Sequence, residues 1–284
     1  MEFDDDQTSS NVEDRRGLGG GGQLAIGGIG TVIVAIAASY FFGIDPSVVL
    51  NILSGAEQRV SVPSRPATAP PATDQQAKFV GQVLRDTEDT WQALFQQAGK
   101  QYRDPKLVLF SGATPTACGT GQSAMGPFYC PNDQKVYIDL EFYHELQTRF
   151  HAPGEFAQAY VIAHEVGHHV QYLLGISAKV NGMRQRLSGV EFNKVSVRTE
   201  LQADCFAGVW AHNSKHVHLN STDIDAALNA AAQIGDDNLQ KQTQGRIVPD
   251  TFTHGTSQQR VRWFKRGWEN GDTTQCDTFQ AAQL

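Results

Sequence analysis

The sequence predicts an α+β fold that is mainly α-helical, with a small antiparallel sheet. Long segments carry apolar residues every three or four positions, as amphipathic helices do. Two short runs of β-forming residues precede most of these segments, and a Gly-rich loop bounded by cysteines lies between the two runs. The chain has 284 residues, which suits one compact domain of roughly 200 residues with additional segments.

Composition argues against one class of function. The chain is 40% hydrophobic, which is enough apolar material for a core, and its net charge is −7. No block of basic residues occurs in the sequence. Nucleic acids attract proteins through positive surface charge, so nucleic-acid binding is not expected.

An uncharged apolar segment, residues 24–44, has about the length that crosses a bilayer. Arg15 and Arg16 precede it, and the next basic residue is Arg59. By the positive-inside rule, we expect a single transmembrane helix with the N-terminus in the cytoplasm and the bulk of the chain outside. A cleaved signal peptide, with a small-residue site at residues 35–37, is the alternative.

The segments beside this span differ from a folded domain in composition. Residues 1–23 are acidic and then Gly-rich, which predicts a disordered cytoplasmic tail. Residues 45–74 include a stretch rich in Pro, Ala, Ser and Thr, which predicts a semi-extended linker. The folded domain is therefore expected to cover residues 75–284.

Six segments of this domain are expected to be helical. Their apolar residues recur at helical spacing, and capping residues mark several ends, such as the Ser-Thr-Asp run at residues 221–223 and Gly175 after Leu174. The predicted helices cover residues 75–98, 141–150, 153–174, 198–213, 221–234 and 257–268.

The strand candidates are Lys106–Gly112 and Lys135–Leu140. They lie on either side of the Cys-bounded loop, so we expect them to form a small antiparallel sheet. The second strand is also a candidate sheet edge, where an extended peptide could be held by strand addition.

The chain has four cysteines. An even number in a domain outside the cytoplasm favours disulfides. Cys118 and Cys130 flank the Gly-rich loop and are the favoured pair, which leaves Cys205 and Cys276 as the second pair. Buried free thiols are the alternative. The spacings contain no C-x-x-C pair, so a cysteine zinc site is not indicated.

The stretch VIAHEVGHHVQ contains the pattern H-E-x-x-H on a predicted helix. Residues at i and i+4 lie about 40° apart around a helix, so His164 and His168 can reach one zinc ion. Glu165 can face the same cavity without binding the metal and accept a proton from water. His169 points about 100° away from His168, which argues against a ligand role. The alternative is a polar helix face, but this helix is apolar, and burying unpartnered histidines would be costly.

A catalytic zinc needs a third protein ligand and one open position. The metzincin pattern is excluded, because Gln171 and Leu174 stand where it requires Gly and His. Glu200 and Asp204 lie four residues apart on a second predicted helix. Glu200 can bind the zinc, and Asp204 can accept the outer N–H of a ligating histidine. Two histidines and one glutamate form the ligand set of thermolysin, from which this assignment is taken. A solvated helix face pairing with Arg198 is the alternative.

Four segments resemble one known family: HEVGHHVQ, ELQADCFAGVWA, GPFYCPNDQKVYIDL and THGTSQQRVRWFKRGW. Together they are similar to the bacterial, membrane-anchored putative neutral zinc metallopeptidases, over nearly the whole chain. The resemblance implies a thermolysin-like (gluzincin) zincin core with an active-site helix, one zinc ion per chain and a peptide or protein substrate. With the apolar span, it also implies a single-pass protein of the bacterial inner membrane.

A further position follows from the same resemblance. An acyl-transfer oxyanion benefits from a donor beyond the metal, and His254 follows the two ligand helices, as the transition-state histidine does in thermolysin-like enzymes. Arg260 is expected to hold this segment by pairing with a carboxylate. The alternative is that His254 is a loop residue that caps the last helix.

The expected reaction is hydrolysis of peptide bonds by water activated at zinc, with Glu165 as the general base. One rival is a catalytically inactive membrane-anchored scaffold or binding module that keeps the site for structure. Structural zinc sites usually have four protein ligands, and the sequence offers three good ones, which favours catalysis. A cell-wall peptide amidase is the other rival, because its ligands can be the same.

Overall fold

The computed structural model describes residues 1–18 and 68–284 of the chain. The expected membrane span, residues 24–44, and residues 45–67 of the expected linker lie outside these described residues. Within the described residues, Met1–Arg16 and Thr68–Leu284 form one compact unit.

Helices make up most of this unit, and the expected fold class, α+β and mainly helical, is confirmed. The described helices are α1 (Gln75–Gln97), α2 (Glu141–Thr148), α3 (Glu155–Leu173), α4 (Ile176–Arg184), α5 (Gly189–Asn213), α6 (Ser221–Gln233), α7 (Asp236–Gln244) and α8 (Ser257–Asn270). Helix α5 begins earlier than predicted because the Ser188 side chain caps it by accepting a hydrogen bond from the Glu191 amide.

The strands are short. They are β1 (Glu2–Phe3), β2 (Val12–Asp14), β3 (Lys106–Phe110), β4 (Ala113–Thr116), β5 (Gly119–Gln122), β6 (Phe128–Cys130), β7 (Lys135–Asp139) and β8 (Val217–His218). Four of them form a mixed sheet in the order β2-β3-β7-β6, while β4 and β5 form a separate hairpin and β1 pairs with β8.

The predicted antiparallel pairing of the two strand candidates is wrong. Strands β3 and β7 are parallel, with Lys106 opposite Lys135 and Phe110 opposite Asp139. The chain between them contains the β4–β5 hairpin and β6, which runs antiparallel to β7. Strand β6 returns the chain to the end of the sheet at which β3 begins, so β7 runs in the same direction as β3.

Strand β7 is also not the edge that the sequence suggested. It lies inside the sheet between β3 and β6, so its backbone groups are already paired. The edge strand on that side is β6. An extended peptide could therefore add to β6 and not to residues 135–140.

Residues 1–16 do not belong to a disordered tail, which the composition predicts for residues 1–23; residues 19–23 lie outside the described residues. Strand β2 pairs in parallel with β3 at the other edge of the sheet, and β1 pairs with β8. The acidic residues of this segment find cations on the domain: Asp5 pairs with Arg85, and Asp6 pairs with Lys78. The acidic residues Asp5 and Asp6 thus complement positive charge on the domain.

The predicted membrane topology, with the N-terminus in the cytoplasm and the domain outside, is wrong. Met1–Arg16 and Thr68–Leu284 belong to the same compact unit and share one sheet, so they cannot lie on opposite sides of a membrane. Among residues 1–18 and 68–284, no helix is long and apolar enough to cross a bilayer. Charge bias along the sequence carried no information about the pairing of β2 with β3.

The core lies between the helices and one face of the sheet. Its largest fully buried side chains include Trp91, Trp210 and Trp263. Helices α5 and α8 approach so closely that a Cβ on Gly267 would lie 2.0 Å from the carbonyl oxygen of Cys205. This contact brings the side chains of α8 within reach of α5.

Two disulfides join the pairs that the sequence favoured. Cys118 is bonded to Cys130, which ties the β4–β5 hairpin to the edge strand β6. Cys205 is bonded to Cys276, which ties the C-terminal segment to α5. Cys205 and Cys276 are fully buried.

Candidate metal centre

Helices α3 and α5 bring the candidate ligands together. A Cβ on Gly167 of α3 would lie 3.0 Å from the carbonyl oxygen of Ala203 on α5, so the two helices are in backbone contact there. His164 and His168 lie on α3 beside this contact, and Glu200 lies one turn before Ala203. The glycine within HEVGH therefore allows α5 to come close enough for Glu200 to reach the histidines.

One ligand atom from each of His164, His168 and Glu200 lies within 4.8 Å of the other two. The Nε2 atom of His164 is 3.2 Å from Glu200 Oε2, and the Nε2 atom of His168 is 3.5 Å from Glu200 Oε1. The two imidazole rings are nearly perpendicular, at 88°, with centroids 4.8 Å apart. Three donor atoms of the kinds that zinc prefers thus converge on one point.

Asp204 orients His164. Its Oδ1 lies 2.8 Å from His164 Nδ1 and accepts that N–H, so Nε2 is the ring nitrogen that faces Glu200. Asp204 is fully buried and is itself held by the Tyr160 hydroxyl and by two nitrogens of Arg260, at 2.9 and 2.8 Å. The expected pairing of Arg260 with a carboxylate is therefore present, and the carboxylate is Asp204.

The partner of His168 was missed from sequence. Gln171 Oε1 lies 2.9 Å from His168 Nδ1 and accepts its N–H. The Gln171 amide nitrogen donates to the Thr199 carbonyl at 2.7 Å and to Gln202 Oε1 at 3.1 Å. These bonds fix which end of the amide faces His168. The available signal was spacing, because Gln171 follows His168 by three positions on the same helix.

The electrostatics of this cluster favour positive charge at the histidines. Burial opposes charge on His164, but Asp204 and Glu200 outweigh burial and raise the pKa of His164 to about 10. Burial likewise opposes charge on His168, and Glu200 raises its pKa. Burial works against the Glu200 carboxylate, yet the two histidines hold its pKa well below the usual range. A bound cation would neutralise the same carboxylates that here favour protonated histidines.

Glu165 lies beside the ligands and is buried, with 6% of its surface exposed. It lines the same cleft as His164 and His168. Burial raises the pKa of Glu165, and the neighbouring histidines lower it by less. A raised pKa makes this carboxylate a stronger base, which suits it to accept a proton and return it.

His254 lines this cleft from the loop before α8. Its Nδ1 lies 3.1 Å from Asp236 Oδ1, and the backbone amides of residues 253–255 donate to Asp236 Oδ2. The hydrogen bond to Asp236 raises the pKa of His254. The alternative role as a helix cap does not hold, because the Thr256 side chain caps α8.

His169 is not part of the metal cluster. It is fully buried on another side of α3. Its Nδ1 lies 2.9 Å from the Tyr129 hydroxyl, and its Nε2 lies 2.6 Å from the Arg103 carbonyl oxygen. Burial lowers the pKa of His169 to about 4. This agrees with the expectation that His169 is not a ligand.

The cluster opens into a cleft of about 790 Å³. Strand β6 contributes Phe128 and Tyr129 to its wall, α2 contributes Phe142, and α5 contributes Phe192. A cleft of this size can hold several residues of a peptide.

Comparison with known proteins agrees with this site. A family model described as "Putative neutral zinc metallopeptidase" matches residues 1–279. The chain is 50% identical over 289 residues to the uncharacterized protein YpfJ of Escherichia coli (strain K12), covering 98% of this chain and 99% of that protein.

More distant relatives occur in mycobacteria. The chain is 44% identical over 219 residues to the uncharacterized proteins Mb2605 of Mycobacterium bovis and Rv2575 of Mycobacterium tuberculosis, covering 73% of each chain. No solved structure matches the chain. Because the family model spans nearly the entire sequence and includes both ligand helices, the chain belongs to the family described as putative neutral zinc metallopeptidases.

Proposed function

We propose that this protein is a zinc-dependent peptidase, with one zinc ion held by His164, His168 and Glu200. The observation that carries the proposal is the convergence of these three ligand atoms within 4.8 Å, beside the buried Glu165 and at the base of an open cleft. The donor set fits zinc, because two imidazole nitrogens and one carboxylate are common catalytic zinc ligands. Each imidazole also has an acceptor on its other nitrogen, as zinc ligands usually do.

The residues around the metal have separate roles in the proposed reaction. Zinc in this position would polarise a peptide carbonyl and lower the pKa of a water molecule. Glu165 accepts the proton of the attacking water and then delivers it to the leaving amine nitrogen. The raised pKa of Glu165 supports the first transfer, because a more basic carboxylate accepts a proton more readily.

His254 is the proposed donor to the oxyanion. Asp236 holds the loop through three backbone amides and accepts a hydrogen bond from His254 Nδ1. The carboxylate favours the protonated imidazole, in which Nε2–H is a donor. Such a donor would stabilise negative charge on the carbonyl oxygen of the substrate.

The substrate is proposed to bind in extended form along β6. This strand is a sheet edge that lines the cleft, so its free backbone groups can pair with a peptide. The thermolysin-like arrangement that the resemblance implies is also part of the proposal, and the contact of the edge strand β6 with the helix that carries H-E-x-x-H, through Tyr129 and His169, is consistent with it.

The test is to measure zinc content and peptide cleavage together. The purified full chain should contain about one zinc per chain and cleave members of a mixed peptide library. Glu165→Gln should keep the zinc and lose activity by about 10²- to 10⁴-fold, the usual contribution of a general base. Glu155→Gln, at the exposed start of the same helix, is the matched control and should behave as the wild type.

The outcomes separate the rival functions. A wild-type chain without zinc would contradict the metal site. Zinc without cleavage of any peptide would favour the scaffold function, and cleavage confined to cell-wall peptides would favour the amidase. Equal cleavage by the wild type and Glu165→Gln would contradict the role of Glu165.

A further inference from the structure

We propose that His169 is a positioning residue that holds the edge strand β6 against helix α3 and so sets the position of the cleft wall relative to the metal ligands. The proposal deepens the proposed peptidase function and rests on it for the role of the cleft. It concerns the third histidine of HEVGHH, to which the metal site gives no role.

The two hydrogen bonds of His169 determine its tautomer. The carbonyl oxygen of Arg103 only accepts hydrogen bonds, so the Nε2 atom at 2.6 Å carries the proton. In the neutral ring, Nδ1 is then an acceptor, and the Tyr129 hydroxyl at 2.9 Å donates to it. Both ring nitrogens are therefore used, one toward the β6 strand and one toward the segment before β3.

The aromatic surroundings hold this ring in place. Tyr102 and Tyr129 approach it edge-on, with ring centroids at 5.7 and 5.5 Å. Tyr172, one turn further along α3, stacks on it at 6.3 Å. The ring is fully buried, so it cannot change rotamer without disturbing these tyrosines.

Tyr129 is the residue of β6 that can make such a connection. Strand β6 has three residues, and side chains alternate between the faces of a sheet. Phe128 and Cys130 pack in the small cluster with Val108 and Tyr137, whereas Tyr129 packs against the main core. The Tyr129 side chain is thus the one that links β6 to α3, and His169 is its hydrogen-bond partner.

The position of this strand matters for the proposed reaction. A peptide paired with β6 must also present its scissile carbonyl to the zinc ion that His168 is proposed to bind. His168 is the direct neighbour of His169. His168 and His169 lie on the same turn of α3. The His169–Tyr129 hydrogen bond therefore keeps the distance between strand β6 and the candidate zinc site constant. Misplacement of a substrate by about 1 Å can lower a rate by about 10²-fold.

The first test measures the strand without any activity. Tyr129→Phe removes the hydroxyl and keeps the ring, and His169→Phe removes both hydrogen bonds. Each variant should speed hydrogen exchange of the β6 amides by about 2- to 10-fold, the effect of losing one net hydrogen bond. Tyr172→Phe is the matched control, because its ring stacks on His169 without a hydrogen bond to it. Nitrogen NMR of the wild type should show His169 with its proton on Nε2.

The second test separates positioning from general stability. Both variants should bind zinc as tightly as the wild type. They should raise KM for long peptides that pair with β6 by about tenfold more than they raise KM for short substrates. The variant that combines Tyr129→Phe and His169→Phe should raise KM for long peptides no more than the single variant with the larger effect, because both changes remove the same contact.

Unchanged exchange in β6 in both variants would overturn the proposal, as would a proton on Nδ1 or equal effects on long and short substrates. If His169→Phe does not fold, Tyr129→Phe and the NMR measurement still decide the question. A protein that binds no zinc and cleaves nothing would contradict the proposed function, but the exchange and tautomer results would still report on His169.

Discussion

Gln171 accepts a hydrogen bond from Nδ1 of His168 at 2.9 Å, across one turn of the same helix. The Thr199 carbonyl and the Gln202 side chain fix the amide in this orientation. His164 has a carboxylate in the equivalent position, Asp204. The two candidate zinc ligands are therefore oriented by acceptors of different charge.

Replacing Gln171 should weaken metal binding. Gln171→Leu removes the acceptor and lets the His168 ring turn, so zinc affinity should fall by about 10- to 100-fold. Gln171→Glu keeps an acceptor for His168 but loses the amide that donates to Thr199 and Gln202, so its zinc affinity should lie between those of Gln171→Leu and the wild type. Competition with a chromogenic chelator measures both affinities. Equal affinity in Gln171→Leu and the wild type would show that Gln171 does not orient His168.

Removing Arg260 should destabilise the fold. Asp204 and Arg260 are both buried, at 0% and 3% exposed, and Arg260→Met would leave the carboxylate without its cation. The free energy of unfolding should fall by about 3–5 kcal/mol, measured in urea. Lys265→Met on the exposed side of the same helix is the control, and its ion pair with Glu269 should contribute less than about 1 kcal/mol. Similar losses in both variants would contradict the importance of the buried pair.

Gly267→Ala should disrupt the contact between α5 and α8. The new Cβ would lie 2.0 Å from the carbonyl oxygen of Cys205, a backbone atom that cannot move alone. We expect a loss of about 3 kcal/mol or more in the free energy of unfolding. Gly182→Ala in α4 meets nothing within 4 Å and should stabilise the protein by up to about 1 kcal/mol. Thermal unfolding of the two variants should thus shift in opposite directions.

Glu88 should make stability fall as pH rises. Burial raises its pKa from the ordinary 4.5 to about 7, against the hydrogen bonds from Asn11 and Ser9 that lower it. The folded state therefore binds more protons than the unfolded state between these values. The stabilisation is complete below about pH 4.5 and is lost as pH rises through about 7.

Glu88→Gln should remove this dependence. A glutamine keeps an acceptor oxygen for Ser9 and Asn11 and carries no charge. At pH 8 the variant should be more stable than the wild type by about 1–3 kcal/mol, whereas at pH 4.5 the two should be equal. Urea titrations at several pH values measure the difference. A constant gap across this range would contradict a titration of Glu88.

The candidate metal ligands could be identified from the sequence because their signals are local. The spacing of His164 and His168 depends only on helical geometry, and the same rule places Glu200 and Asp204 on one face of α5. The partner of His168 was overlooked although Gln171 obeys the same rule. An amide is a weaker signal than a carboxylate, because glutamines are common on helices without any such role.

The pairing of distant segments could not be predicted in the same way. The spacing of Lys106–Gly112 and Lys135–Leu140 does not reveal that the intervening chain contains a third strand of the same sheet. The pairing of Val12 with Leu107 joins two segments that the apolar stretch separates in the sequence. Composition alone assigned these two segments to opposite sides of a membrane. Strand pairing depends on contacts between residues far apart in the chain, which no local period encodes.

The sequence by itself determined six of the eight described helices, the favoured cysteine pairs and the presence of histidines and carboxylates at metal-binding spacing. Tertiary structure alone decided which groups meet. The backbone contact at Gly167 brings Glu200 to His164 and His168, and the contact at Gly267 brings Arg260 to Asp204. Tertiary structure also gave His169 a partner on the edge strand. The physical reason is that a helix fixes the direction of a side chain, whereas the distance between two helices is set by how closely their surfaces can pack.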